Sequence, residues 1–130
     1  MTGMSTALTK IGWDLTVLVA KSFENEVELF KKLSMSKNLS GLIISRTLRN
    51  DERFKILTDL KIPFVAHGRS INCSTSSWLD VDNESAFFDM TKHFVSLGHR
   101  KIAHICGPNV YNFSIQRIEG WKKALLETGI

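Results

Sequence analysis

The chain has 130 residues, of which 43% are hydrophobic and 23% charged, and this composition is typical of a folded domain rather than of a disordered segment. Its net charge of +4 is spread along the sequence, which indicates a mixed solvated surface and not a clustered face for binding nucleic acid. Its apolar runs are far shorter than the roughly 20 residues that a membrane-spanning helix needs.

The first predicted helix has apolar residues at helical spacing from Met4 to Ile11 and ends at Gly12, which suits a left-handed stop. A strand is predicted next, over residues 14–20. The second helix begins after Ser22, whose hydroxyl suits the N-cap position. It carries glutamates in its first turn and lysines in its last, as the helix dipole favours.

Two further strands are predicted over residues 41–45 and 63–67, with a third helix between them. Asn50 or Asp51 caps this helix, and the proline at the start of the next strand ends it. Its predicted apolar face consists of Phe54, Leu57 and Leu60.

A polar stretch from residue 68 to 77 predicts a loop or crossing segment, and residues 78–81 resume as a short extended segment. Asp82 then suits the N-cap of a fourth helix that ends at Gly98. A strand over residues 101–106 follows, and a fifth helix starts near Phe113 and ends at Gly129. This alternation of strands and helices without hairpin signals predicts a parallel α/β sheet with right-handed crossovers.

Parallel sheets normally need cover on both faces, and this chain offers few strands for five helices. We therefore expect the native gene product to supply a strand before Met1 and a further half-sheet after Ile130.

The chemically reactive side chains do not form a recognisable catalytic or metal-binding pattern. Cys73 and Cys106 are too few and too far apart for a disulfide framework or a zinc site, so we interpret both as reduced thiols of a cytoplasmic protein. Asp80 and Asp82 alternate on an extended segment, which does not make an acid–base pair, and Asp82 is better explained as a cap. We expect no enzyme activity, no metal and no cofactor.

Six short motifs follow one another in order: GLII at 41–44, IPFVAHGR at 62–69, DVDN at 80–83, LGHRKIA at 97–103, GP at 107–108 and RIEGW at 117–121. Their order and spacing resemble the effector domain of lactose-repressor and galactose-repressor (LacI/GalR) family transcription regulators. The resemblance implies a type I periplasmic-binding-protein-like fold, in which parallel sheets carry helices on both faces and two similar subdomains enclose a ligand cleft. Residues 1–81 would form an amino-terminal subdomain without its first strand, and residues 82–130 would begin the second subdomain.

The resemblance places the family's ligand-clamping arginine at Arg117. A planar guanidinium with five N–H donors can fork onto neighbouring hydroxyls or a carboxylate. His67 and Arg69 follow a predicted buried strand, where open α/β folds place ligands. Many relatives have an aspartate where Gly68 stands, so we interpret Arg69 as an alternative polar anchor.

Tyr111, Asn112 and Phe113 precede the fifth helix at positions that match ligand-facing residues in relatives. An aromatic wall against a sugar ring is one interpretation of this segment. The other is that Phe113 acts as a hydrophobic staple for its helix.

The resemblance implies the ligand-sensing domain of a dimeric regulator, whose effector is a small molecule such as a sugar. Operator DNA would be bound by an upstream helix-turn-helix domain that this sequence does not contain. A sugar-binding protein of an ABC-type transporter with the same fold is the second hypothesis, and a flavodoxin-like enzyme or receiver domain is the third.

Overall fold

The computed structural model describes residues 2–73 and 75–130, so Ser74 of the predicted loop lies outside the described residues. Its helices are α1 (Thr2–Thr9), α2 (Phe23–Ser34), α3 (Arg53–Asp59), α4 (Asn83–Ser96) and α5 (Asn112–Thr128). Its strands are β1 (Leu42–Ser45), β2 (Phe64–His67) and β3 (Ser77–Leu79). These elements confirm all five predicted helices and three of the predicted extended segments.

The three strands form one parallel sheet in the order β1-β2-β3. Ser45 at the end of β1 is in register with His67 at the end of β2, and His67 is in register with Leu79 at the end of β3. The residues that follow the three strands therefore leave the sheet at one common edge.

The core of the sheet lies on the face that packs against α2 and α3. Ile44 of β1 is 5% exposed, whereas its neighbour Ile43 on the opposite face is 40% exposed. This alternation shows that the face carrying Ile44 is covered, while the other face, at Ile43, remains open to solvent. The core cluster consists of Phe30, Ile44, Phe54, Leu57, Ile62, Ala66 and Cys73.

Three of the predicted helix ends are present with the expected chemistry. The Ser22 hydroxyl accepts a hydrogen bond from the Asn25 amide at 3.3 Å, and Asp82 Oδ1 accepts one from the Ser85 amide at 3.1 Å. Gly129 closes α5 in the left-handed conformation, with φ of +69°. Local side-chain chemistry therefore sets these boundaries.

The start of α3 differs from the prediction. The N-cap position belongs to Glu52, whose side chain makes no capping hydrogen bond. Asp51 serves the helix from one residue further back, because its Oδ1 accepts the Arg53 amide at 3.1 Å. Its Oδ2 accepts the Leu48 amide at 2.9 Å, so the same carboxylate also holds the segment that follows β1.

The helices α4 and α5 pack against each other with their backbones in contact at Gly120. A Cβ atom at this position would lie 2.1 Å from the Glu84 carbonyl oxygen and 3.0 Å from the Phe88 amide nitrogen. Only glycine allows so close an approach, which brings the start of α4 against the middle of α5.

Two predicted strands, over residues 14–20 and 101–106, are absent: both segments have no regular secondary structure and belong to no sheet. A strand exists only where a neighbour supplies hydrogen bonds, and in the described part of the chain neither segment has such a neighbour. Val19 is 86% exposed and Ile105 is 98% exposed as a result. The second half of the chain thus contributes two packed helices and no sheet among its described residues.

Candidate functional site

The candidate site lies where the three parallel strands end. Arg46 follows β1, Gly68 and Arg69 follow β2, and Asp80 follows β3. The start of α5, with Tyr111 and Phe113, reaches this edge from the second half of the chain. The structure therefore brings together most of the residues that the sequence singled out.

Arg69 is held by Asp80 and by the indole ring of Trp78. Its backbone amide and its Nε both donate to Asp80 Oδ2, at 3.1 and 3.2 Å. Its guanidinium carbon lies 5.4 Å from the centre of the Trp78 ring. The Asp80 side chain is only 10% exposed, so this ion pair is shielded from solvent on the carboxylate side.

Arg117 lies among two aromatic rings and one amide. Its Nε donates to Asn83 Oδ1 at 2.8 Å, and its guanidinium carbon lies 5.0 Å from the Phe113 ring centre and 5.4 Å from the Phe87 ring centre. Asn83 is 3% exposed. The side-chain Nδ2 of Asn83 donates to Val81 O at 2.9 Å.

Asn83 also connects the two arginines that the sequence predicted. Its Nδ2 donates to Asp80 Oδ1 at 3.4 Å, while Asp80 holds Arg69 through its other oxygen. Arg69, Asp80, Asn83 and Arg117 therefore form one continuous polar network, which we call the arginine network. Sequence reasoning assigned no role to Asn83 and missed the contact of Asp80 with Arg69, because these contacts join residues 11 and 34 positions apart.

The segment before α5 contacts the residues that follow β1. Tyr111 forms an isolated antiparallel bridge with Leu48, and the Asn112 amide donates to Thr47 O at 3.3 Å. The rings of Tyr111 and Phe113 stack at 5.3 Å with an angle of 10° between their planes. Phe113 is the second residue of α5, so it does not occupy the position before the cap that a hydrophobic staple needs.

Arg46 completes the site, and the sequence analysis did not single it out. Its guanidinium carbon lies 5.0 Å from the centre of the Tyr111 ring, and its Nη2 donates to the Tyr111 hydroxyl. The signal that could have found it is its place directly after a strand of a parallel sheet, where ligand-binding residues concentrate.

Gly68 is required by its surroundings as well as by its backbone. Its φ is +120°, and a Cβ there would lie 2.3 Å from Thr47 Oγ1. The aspartate that many relatives carry at this position would not fit this arrangement. His67 is an exposed residue at the end of β2, beside Ser45 and Leu79 of the neighbouring strands.

Within residues 2–73 and 75–130, no group of three His, Cys, Asp or Glu side chains is placed to hold a metal ion. Over the same residues, no helix has both the length and the apolar character needed to cross a bilayer.

The pKa of Asp82 is lowered by hydrogen bonds from the Ser85 amide and hydroxyl, in keeping with its place at the start of α4. Cys73 and Cys106 are both free thiols.

Comparison with known proteins matches the whole chain, residues 1–130, to the family described as periplasmic binding proteins and sugar binding domain of LacI family. The HTH-type transcriptional regulator AglR of Rhizobium meliloti (strain 1021) is 41% identical over 115 residues, which are 88% of this chain and 32% of that protein. The regulator RafR of Escherichia coli is 32% identical over 114 residues, covering 88% of this chain and 34% of that protein.

Solved structures give the same result. A transcriptional regulator CelR–cellobiose complex matches with a TM-score of 0.87 at 26% identity, over 98% of this chain and 39% of that one. A transcription regulator-like protein from Staphylococcus haemolyticus matches with a TM-score of 0.91 at 25% identity, over 98% of this chain and 48% of that one.

The chain spans about a third of the length of the curated relatives it matches. These relatives are transcriptional regulators and not transport proteins, which favours the first functional hypothesis over the transporter alternative. The chain belongs to the periplasmic-binding-protein-like, sugar-binding domains of the LacI family of transcriptional regulators.

Proposed function

We propose that this chain is the effector-sensing part of a LacI-type regulator, which binds a sugar or related polar metabolite between residues 1–81 and 82–130. Binding would control the attachment of a helix-turn-helix domain to operator DNA. The protein would act as a homodimer in the cytoplasm. The complex that the similar regulator CelR forms with cellobiose supports a saccharide as the effector class.

The observation that carries this proposal is the hydrogen bonding of the Arg117 guanidinium. In the described part of the chain only its Nε is hydrogen-bonded, so the two terminal nitrogens keep their donors for another group. Phe113, Phe87 and Asn83 fix the plane of the guanidinium, and a fixed plane lowers the entropy cost of binding a ligand.

The regulatory step follows from differential affinity. An effector shifts the balance between DNA-binding states only by the difference in its affinity for them. Arg117 lies on α5 and Arg69 follows β2, so a ligand that bridges them would favour one relative position of the two halves of the chain.

The first experiment is a thermal-shift screen of the full-length protein with glucose, galactose, cellobiose, maltose, lactose and raffinose, because a bound ligand raises stability by mass action. Calorimetry on Arg117→Ala should then show a loss of at least about 2 kcal/mol in binding free energy, roughly 30-fold in affinity, for any stabilising sugar.

Arg100→Ala is the matched control, because Arg100 is an exposed arginine outside the site. It should bind as the wild type does. Unchanged binding in Arg117→Ala, with circular dichroism showing a folded protein, would refute the central role of Arg117. A screen without any stabilising sugar would argue against the sugar-sensing function itself.

A further inference from the structure

Arg46 has an uncommon backbone conformation for its residue type. Its φ is +55°, in the left-handed region that is unfavourable for a non-glycine residue. Such conformations persist only where the surroundings hold them, and they concentrate at binding sites. The contacts around Arg46 show what holds it.

A buried ion cluster of Arg53, Asp51 and Glu26 holds the backbone of the turn at Arg46. Arg53 Nη2 donates to the carbonyl oxygens of Ser45 at 3.2 Å and of Arg46 at 3.3 Å. Asp51, fully buried, binds the Arg53 guanidinium through both oxygens, at 2.9 and 2.7 Å, and Glu26 binds it at 3.1 Å.

Burial lowers the pKa of Arg53, but the hydrogen bond and charge of Asp51, together with Glu26, outweigh burial and raise that pKa above its usual value. Arg53 therefore stays protonated at physiological pH, and its guanidinium fixes two carbonyl groups of the turn in one geometry.

The Arg46 side chain extends from this turn over the Tyr111 ring, where it uses one donor on the Tyr111 hydroxyl. Among the described residues, no carboxylate lies within 4.0 Å of its guanidinium. Since a guanidinium has five N–H donors, most of the donors of Arg46 have no protein partner in the described part of the chain.

The stacked rings of Tyr111 and Phe113 have an arginine at each end. Arg46 lies over Tyr111 at 5.0 Å, and Arg117 lies over Phe113 at 5.0 Å. The two rings cover each other on their inner faces. The groups that remain available for hydrogen bonds here are therefore the N–H donors of the two guanidinium groups.

We propose that Arg46 is a ligand-contacting residue, a second guanidinium clamp that works with Arg117 and donates hydrogen bonds to the hydroxyl oxygens of a bound saccharide. This inference rests on the proposed function. In this arrangement Tyr111 holds the guanidinium group of Arg46 in place. The ion cluster of Asp51, Arg53 and Glu26 fixes the backbone turn from which the Arg46 side chain extends.

The test compares Arg46→Ala, Arg46→Lys and Tyr111→Phe with Arg49→Ala in the full-length protein. Arg49 is an exposed arginine on the same segment that contacts Val110 through its backbone amide, so its truncation leaves that contact in place. The probes are cellobiose, maltose, lactose and raffinose, measured by calorimetry, with the melting temperature of the unliganded variants as a second readout.

We expect Arg46→Ala to weaken the binding of the stabilising saccharide at least about tenfold. Arg46→Lys should weaken it by a smaller factor, because a lysine keeps the positive charge and lacks only the fork of donors. Arg49→Ala should leave binding unchanged. Tyr111→Phe should also weaken binding, because it removes the hydroxyl that accepts from Arg46.

Binding of the saccharide by Arg46→Ala with wild-type or higher affinity would overturn this inference and leave the proposed function standing. If no saccharide binds the wild type, the proposed function and this inference fail together. Should Arg46→Ala not fold, Arg46→Lys and Tyr111→Phe decide by the same criterion, since wild-type affinity in both overturns the assignment.

Discussion

Replacing Gly120 with alanine tests whether α4 and α5 are in backbone contact. A Cβ at this position would lie 2.1 Å from the Glu84 carbonyl oxygen, where an ordinary contact is 3.4–4 Å. The two helices must therefore move apart by more than about 1 Å, and such overpacking costs about 1–3 kcal/mol. Alanine recovers up to about 1 kcal/mol through its better helix propensity. We expect a net loss of about 1–2 kcal/mol in the free energy of unfolding.

Gly3→Ala is the matched control for this substitution. Gly3 also lies in a helix, and nothing is within 4 Å of the position that its Cβ would take. It should leave stability unchanged or raise it by up to about 1 kcal/mol, since only the propensity and chain-entropy effects remain.

The assay is urea unfolding of the full-length protein, followed by tryptophan fluorescence. Trp121 is next to the substituted glycine and stacks on the His104 ring, so its signal reports on this region. A Gly120→Ala protein at least as stable as Gly3→Ala would refute the close approach of the two helices.

Three further substitutions test the energetics of charged groups. Asp51→Ala should cost about 3–5 kcal/mol in urea unfolding, because it leaves the buried Arg53 charge short of its main partner, whereas Lys55→Ala, at an exposed ion pair, should change stability by less than about 1 kcal/mol. Equal effects would contradict the burial argument. The Asp82 carboxylate has a pKa lowered by the amide and hydroxyl of Ser85, so its stabilising effect is present above the unfolded pKa and is lost as the pH falls through the lower folded value. Asp82→Ala should flatten this loss of stability below the unfolded aspartate pKa of about 4, measured by circular dichroism, and an unchanged profile would count against it.

Helices were predictable from the sequence because their signals are local. The caps at Ser22 and Asp82 and the glycine stop at Gly129 each act within a few residues, and the structure has all three. The predictions of strands over residues 14–20 and 101–106 were wrong, although both segments contain apolar residues as β1 does. A strand needs a neighbour from elsewhere in the fold, which a local pattern cannot supply.

The predicted site residues came from a resemblance and from the rule that ligands bind where parallel strands end, and their role in binding stays a prediction. That rule placed Arg69, and the resemblance placed Arg117, next to a common network. The connecting residues Asp80 and Asn83 were missed, since the network is closed by tertiary contacts. The conformation of Arg46 was also beyond sequence reasoning, because a buried ion cluster holds it.

The arginine network has a direction. Arg117 donates to Asn83, Asn83 donates to Asp80, and Arg69 donates to the same carboxylate from the other side, so both donor chains converge on one negative charge. Removing the Arg117 side chain would leave Asn83 Oδ1 without its donor and would weaken the polarisation of the bonds behind it. Loss of the Arg117 side chain would therefore also disturb the hydrogen bonds that hold Arg69, without any movement of a helix.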